Sequence, residues 1–397
     1  MPLSSGQVKS LALEVGFDLA GVSAVGEFPE LTSYPDWVTE GRAGEMRYLE
    51  ARNEAGNLKR AALRNVAPWA RSVVVCAINY NSAEPYSTEC ADPSRGWISR
   101  YAWSQRDYHE VVLEKLRELE SRIADVVRDD RAEDNAPIRS WCYVDTGPLV
   151  ERIYAKYAGI GWIAKNTCII HQQLGSWLFL GVILTSLPLT PDIPAPDRCG
   201  SCTRCLDACP TNAFPAPYQL DPTRCISYLT IEKRGPIPED LRLGIGRNIF
   251  GCDICQDVCP WNNKVDPAFR PDLSGAAVGD QFAGPSSAPE IRRPVSAEPR
   301  FAPRPELVNP ALGWLASMDA EEFRTVFRGS PIKRAKPAGV RRNVVTAMGN
   351  SGRLEFLPRL EQLTRDEDPT VAEAARWALR QLALAAEVRD EHREDSE

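Results

Sequence analysis

Eight of the twelve cysteines in this 397-residue chain, seven in two runs and one between them, have a spacing that suits iron–sulfur chemistry. The first is Cys199-Gly-Ser-Cys202-Thr-Arg-Cys205-Leu-Asp-Ala-Cys209-Pro210. The second is Cys252-Asp-Ile-Cys255-Gln-Asp-Val-Cys259-Pro260, and Cys225 lies between them. A 4Fe–4S cube takes four thiolates, and where two cubes share such runs the last cysteine of each run crosses to the other cube. By that rule Cys199, Cys202, Cys205 and Cys259 hold one cluster, and Cys209, Cys225, Cys252 and Cys255 hold the other. No ligand is missing and none is spare. Zinc sites are the competing reading, but they use paired C-x2-C units and give the third cysteine and the Cys-Pro endings no role. Disulfides are the other, and they suit an oxidising compartment where these clusters do not persist. The implied chemistry is electron transfer, one electron at a time.

The elements that must carry this module fill the rest of the chain. Ser72-Val-Val-Val-Cys-Ala-Ile-Asn-Tyr80 is a compact β-branched run and reads as a buried strand. Between Tyr108 and Val127, apolar residues at Val112, Leu116, Leu119, Ile123, Val126 and Val127 step by three or four, with charges on the other face, as in an amphipathic helix. Trp141 to Val144 reads as a short strand leading into the turn Asp145-Thr-Gly-Pro148, and Glu151 to Tyr157 as a helix stopped at Ala158-Gly159. The expected fold class is α+β, in five parts. Residues 1–190 form an α/β domain, 191–266 a ferredoxin-like double 4Fe–4S module, 267–310 a Pro-rich connector, 311–388 a helical HEAT-like domain and 389–397 an acidic tail. In the helical part, Val340, Val344, Val345 and Met348 form one apolar stripe, Leu354, Leu357, Leu360 and Leu363 a second, and Val371, Ala374, Ala378 and Leu382 a third. This is fewer than two repeats, and solenoids need about three to stand alone, so the tail must lean on the rest of the protein.

Composition narrows the setting. The formal net charge of −7 gives no global sign of a nucleic-acid partner, though a local patch can still supply one. The N-terminus has no basic region followed by an apolar core, so no secretory signal is expected. The longest apolar run, Trp177 to Leu189, is broken by Gly181, Thr185 and Ser186 and falls short of the roughly 18 residues of a membrane span. A cytoplasmic monomer with no membrane contact is the expectation.

Taken together, the double-cluster pattern, Val144-Asp-Thr-Gly-Pro148, Ala158-Gly-Ile-Gly-Trp-Ile-Ala-Lys-Asn166, Arg224-Cys-Ile-Ser-Tyr228 and the HEAT-like tail resemble the epoxyqueuosine reductases. The resemblance spans most of the chain and implies a cobalamin-dependent enzyme acting on tRNA. In that family the epoxide of epoxyqueuosine, at the wobble position of the anticodon, is reduced to an alkene as the last step of queuosine synthesis. Two departures stand out. The family's Trp-Gly-x-Asp is Trp103-Ser-Gln-Arg-Asp107 here, one residue longer, and the Pro-rich connector is longer than usual.

The resemblance also implies roles. Asp145 would be the general acid, beside the cobalt, with a pKa raised by desolvation beneath the corrin ring; the bland alternative is a turn cap. Arg60, Ser99, Ile169, Leu180 and Ser227 fall where the family touches cobalamin, although core packing accounts equally well for Ile169 and Leu180. Lys165 and Asn166 would bond corrin amides or cap a turn. The axial-histidine signature Asp-x-His-x-x-Gly begins at Asp107-Tyr-His109 but lacks its glycine, so a cofactor without a histidine ligand is expected. Cys76, Cys90, Cys142 and Cys168 read as small buried residues. For the tRNA anticodon stem-loop, the stretch Phe323 to Asn343 contains Lys333, Arg334, Lys336, Arg341 and Arg342 and no acidic residue, and Lys233 and Arg234 lie near the clusters. Tyr228 is a candidate base-stacking aromatic. An external low-potential electron donor is required. Two other classes compete: a corrinoid reductive dehalogenase, which has no use for the helical tail and basic patch, and a non-catalytic electron carrier, which has no use for the large first domain.

Overall fold

The structure, a computed structural model, describes residues 3–130, 137–263 and 295–394. Its strands in chain order are β1 (Leu19–Ala24), β2 (Ser72–Asn79), β3 (Trp97–Ile98), β4 (Ser140–Tyr143), β5 (Trp162–Ile163), β6 (Ile169–Ile170), β7 (Leu178–Thr185) and β8 (Asn248–Phe250). Four of them make the main sheet in the order β1-β2-β7-β4, and every pair in it is antiparallel. The first domain therefore mixes helix and strand as expected, but it is not a parallel α/β sheet. The unbroken apolar run of β2 arises because both faces of the sheet are covered. Val74, Cys76 and Ile78 face Val111, Val112, Leu116 and Leu119 of the helix Tyr108–Asp130. Val73, Val75 and Ala77 face Ile153, Tyr154 and Ala155 of the helix Glu151–Tyr157. Each fully buried Val or Leu of this kind contributes about 1.5–3 kcal/mol. Gly181, which interrupts the apolar run of β7, sits under the long helix; a Cβ there would lie 2.8 Å from Val112 and 2.9 Å from Leu116.

A second core joins the C-terminal helices Lys336–Asn350, Leu357–Leu363 and Pro369–Glu394 to the rest of the protein. The stripes Val340, Val344, Val345, Met348 and Val371, Ala374, Ala378, Leu382 are all buried in it, together with Trp97, Trp103, Ile249 and Phe250. The helical tail thus leans on the β3–β8 pair. The expected middle stripe is shorter than its spacing suggests: Leu354 is exposed, because residues Leu354–Phe356 form a tight 3-10 turn and Phe356 is buried in its place.

Of the Pro-rich connector, residues 267–294 lie outside the described residues. Residues 295–310 are docked on the first domain. Phe301 is buried against Phe179 at 5.0 Å, Glu298 pairs with Lys115 at 3.0 Å, and the Ser296 N–H donates to the Asn81 carbonyl. Ser104, in the longer Trp103–Asp107 segment, bridges to Pro303, and the Arg304 N–H donates to the Trp103 carbonyl. The two departures from the family pattern therefore meet in space. The last helix runs on to Glu394, into the acidic stretch. Among the described residues no helix is long and apolar enough to cross a membrane.

Candidate active site

All twelve cysteines are free of disulfides. Cys199, Cys202, Cys205 and Cys259 line one hollow, with Cys259 delivered from the second run by the turn after the helix Ile254–Asp257. Cys209, Cys225 and Cys252 lie within electrostatic reach of one another, and Cys255 within reach of Cys252 and Cys225. Cys259 of the second run is thus brought to three cysteines of the first, and Cys209 of the first to Cys225 and Cys252. Among the described residues no three His, Cys, Asp or Glu side chains converge tightly enough for a single ion; four sulfurs around a hollow suit a cluster better than zinc. The indole N–H of Trp162 is buried without a hydrogen-bond partner and faces the Cys199 sulfur. A ligating thiolate would accept from it, so the donor set fits an anionic sulfur cluster.

Cys168, expected to be an isolated structural cysteine, instead has its sulfur against that of Cys255. Lys165 and Asn166 turn toward the cluster loops. Lys165 Nζ donates to the carbonyls of Gly200 at 2.7 Å and Cys202 at 3.0 Å, and Asn166 Nδ2 donates to the Cys255 carbonyl at 3.1 Å. Through these contacts the loop between β5 and β6 pins both cysteine runs to the first domain.

Asp145 follows β4 at the edge of the main sheet, in the left-handed region at φ 57°. Asp is among the few non-glycine residues that tolerate this conformation, and such strain gathers at working sites. Arg60 clamps the turn, donating to the Tyr48 carbonyl at 2.7 Å and to the Gly147 carbonyl at 2.8 Å. The flanking Val144 and Gly147 are buried, yet the Asp145 side chain is 70% exposed. It looks into an open cleft with protein on several sides. Tyr108 donates to its Oδ2 at 3.1 Å, and His109 Nε2 stands 3.9 Å from the same oxygen. His109 Nδ1 bonds Asp107 at 2.7 Å, and Lys333 Nζ lies 3.8 Å from the other Asp107 oxygen. Stacking holds these rings in place: Tyr108 lies flat on Phe179 at 4.2 Å and against His109 at 4.0 Å.

Among the cleft's own side chains, His109 holds the Asp145 carboxyl below the usual range, and desolvation by the surrounding protein acts against this without prevailing. Burial would push the His109 imidazole down, but its bond to Asp107 and the Asp145 carboxylate 3.9 Å away hold it up at about 9. The proton of this pair therefore rests on His109 at neutral pH. Glu151, at the start of the helix Glu151–Tyr157, is pushed up to about 7 by burial and then by the charge of Asp145. Its Oε1 is buried without a hydrogen-bond partner. Sequence reasoning missed Tyr108 and Glu151 as site residues and met His109 only as a failed metal signature. The signal available was their adjacency to Asp107 and to the Asp-Thr-Gly turn.

The other expected cofactor contacts come from β6, β7, the segment after β3 and the helix Ile226–Ile231. Ser99 is buried, its hydroxyl given to Oδ1 of Asp253 beside Cys252. Ile169 is buried in the core and Leu180 packs at its margin. Ser227 is half-buried in the helix that follows Cys225. His109 has both ring nitrogens facing carboxylates, and His171 Nδ1 accepts the N–H groups of Gln173 and Leu174. The Asp145 carboxylate, open above a packed turn, is accessible to a bulky group.

The basic residues divide. Lys333 is 62% exposed and Arg334 51% exposed on the rim of the cleft; Arg334 forks onto Glu232 and lies 5.4 Å over the Tyr48 ring. Lys336 is exposed and Arg234 half-exposed. Lys233 is drawn into a 2.5 Å pair with Glu45, and Arg341 pairs with Asp366 at 3.2 Å. Arg342 does not belong to the patch. It is 1% exposed, and its five N–H groups are spent on the carbonyls of Leu229, Lys233 and Gly235 and on Asn343. Arg342→Met should leave the Leu229, Lys233 and Gly235 carbonyls short of a donor, at about 1–3 kcal/mol for the buried Leu229 carbonyl and less for the two half-buried ones. Denaturant unfolding will read that loss, while the folded fraction should bind RNA as before. Tyr228 is also no stacking platform; it is buried, and its hydroxyl accepts the Glu45 N–H.

Comparison with known proteins agrees with this layout. Residues 60–146 match the family described as epoxyqueuosine reductase QueG, and residues 198–262 match the 4Fe-4S double cluster binding domain. An epoxyqueuosine reductase of Xanthomonas campestris is 35% identical over 96% of this chain and 97% of its own length. One from Pseudomonas aeruginosa is 36% identical, covering 94% of this chain and 93% of its own. The crystal structure of an epoxyqueuosine reductase with an epoxyqueuosine-modified tRNA-Tyr stem loop superposes with a TM-score of 0.74 at 30% identity, over 95% of this chain and 89% of the other. A Bacillus subtilis epoxyqueuosine reductase, described with its catalytic Asp loop swung out of the active site, gives 0.72 at 30% identity over 95% and 90%.

Proposed function

The chain belongs to the epoxyqueuosine reductase family, and from that membership we propose that it reduces epoxyqueuosine in tRNA to queuosine, with two 4Fe–4S clusters and cobalamin. Removing the epoxide oxygen breaks two C–O bonds, forms one C=C bond and releases water, consuming two electrons and two protons. The clusters pass electrons singly, and cobalamin, when bound, supplies a cobalt centre that can gather a pair and act as a nucleophile. Arg60, Asp145, Ser99, Ile169, Leu180 and Ser227 are the residues we assign to its surroundings.

The rest is the work of this chain's own side chains. The observation that carries the reading is the Asp145 carboxylate, open to the cleft, with Tyr108 and His109 at its Oδ2. His109 holds the proton at neutral pH and passes it through the Asp145 carboxylate to the leaving oxygen, which leaves the imidazole neutral. Glu151, with a proton affinity close to neutrality and a bare oxygen, is placed to supply the second. Lys333, Arg334, Lys336 and Arg234 on the rim suit the phosphates of an anticodon stem-loop, a contact that weakens with salt and reads no sequence. An external low-potential donor supplies the electrons.

The test is direct. Anaerobically reconstituted protein with cobalamin is incubated with epoxyqueuosine-containing stem-loop RNA and a strong reductant, and the nucleosides are analysed by mass. Unchanged epoxyqueuosine despite intact clusters would overturn the reading. The His109 assignment adds a pH signature. A histidine raised to about 9 is charged below that value and loses its proton as pH rises through it. Single-turnover rates with prereduced enzyme should therefore fall on a basic limb near pH 9, and His109→Gln should abolish the limb as well as slow the reaction. The ion pair's contribution to stability follows the same sign, being complete below the unfolded histidine value of about 6.5 and gone above pH 9.

A further inference from the structure

We propose that Lys165 is a buried fixed cation that raises the reduction potential of the cluster held by Cys199, Cys202, Cys205 and Cys259. The inference rests on that assignment of the four cysteines. Lys165 borders the same hollow as all four, and it is 9% exposed. Its ammonium sits inside the loop of the first two ligands, donating to the Gly200 carbonyl at 2.7 Å and the Cys202 carbonyl at 3.0 Å. Two of its three N–H groups are so used. Its own backbone N–H faces the Cys199 sulfur, next to the unpartnered indole N–H of Trp162. The residue is anchored further by its carbonyl, which accepts the Tyr218 N–H at 3.0 Å.

Reducing a cluster adds one negative charge to it. A cation held beside it, away from water, stabilises the reduced form more than the oxidised one, because charges inside a protein are screened much less than at its surface. Charge, hydrogen bonds to sulfur and exposure are the levers that tune such clusters, and Lys165 works the first two at once. Arg204 borders the same hollow but is exposed, so water screens its charge and it tunes the cluster less. Two buried donors and a buried charge on one residue exceed what a loop anchor needs.

The experiment is an EPR-monitored redox titration of reconstituted, cobalamin-free protein. Lys165→Gln keeps amide donors for the two carbonyls and removes the charge; Lys165→Met removes both; Lys165→Arg keeps the charge. The midpoint of the Cys199 cluster should shift downward in the Gln and Met variants and stay near wild type in the Arg variant. The second cluster should titrate unchanged in all three, and Arg204→Gln should shift the first cluster less than Lys165→Gln. An intact cluster at the wild-type midpoint in Lys165→Gln overturns the proposal. If the neutral variants lose iron, the unmutated protein grown with lysine labelled with 15N at Nζ alone decides: pulsed EPR of the reduced cluster should show a 15N coupling, and its absence overturns the proposal equally. Iron and sulfide analysis of the unmutated protein comes first. A missing cluster there sinks the cysteine assignment, whereas an unshifted potential sinks only the role of Lys165.

Discussion

Asp145→Asn should slow single-turnover reduction of epoxyqueuosine by about 10²–10⁴-fold, the usual contribution of a general acid–base group, and leave both clusters and cobalamin bound. The substitution is clean because Asn tolerates the left-handed backbone that Asp145 adopts at φ 57°. The amide can still accept from Tyr108, so the aromatic stack should not move. Only the carboxylate that relays the proton and its charge facing His109 are lost. Losing that charge also removes a support of the imidazolium, so the histidine value should fall from about 9. The basic limb of the pH profile should move down with it. If Asp145 were only a turn cap, Asn would cap nearly as well, and the rate would stay within a few-fold of wild type. Prereduced enzyme in a single-turnover assay keeps electron delivery out of the measured rate, and a near-normal value there would reassign the acid to Glu151 or water.

Cys209→Ser should cost the protein one specific cluster. Cys209 closes the first run but lies with Cys225 and Cys252, so the cluster lost should be the one those residues share with Cys255. Iron and sulfide should fall to about half, since each cube takes four thiolates and is independent of the other's ligands. The EPR signal of the Cys199 cluster should persist, and Tm should drop because metal ligation carries folding energy. The reverse pattern, with the Cys199 cluster lost and its partner kept, would show that the runs do not cross. Turnover should vanish in either case, so the spectroscopic pattern and not the rate separates the outcomes.

How much of this was legible beforehand depended on whether a property is local. Cysteine spacing is local, and the covalent demands of a four-thiolate cube restrict it so tightly that the run alone names the chemistry. The amphipathic helix Tyr108–Asp130, the strand at Ser72 and the helix Glu151–Tyr157 were legible for a similar reason, because apolar period reports which face meets a core. The antiparallel order β1-β2-β7-β4 was not. A strand buried on both faces reads the same whether its neighbours run with it or against it. Nor was the docking of residues 295–310 legible: their composition says extended, but Phe301 packs on Phe179 and Glu298 pairs with Lys115, partners far away in the chain.

The sequence by itself determined the two clusters, the Asp-Thr-Gly turn and the family to which they belong, since each is written in neighbouring residues whose chemistry does not depend on distant partners. Only the tertiary structure decided which charges are usable. Arg341 and Arg342 are adjacent and equally basic on paper, yet one pairs with Asp366 at the surface and the other is buried with every donor engaged. The Asp145 carboxyl is held low by the chain's own groups because folding brings the imidazole of His109 within 3.9 Å. A side chain's identity sets what it can do in water. Its partners and its burial, which come from residues far away in the chain, set what it does in the protein.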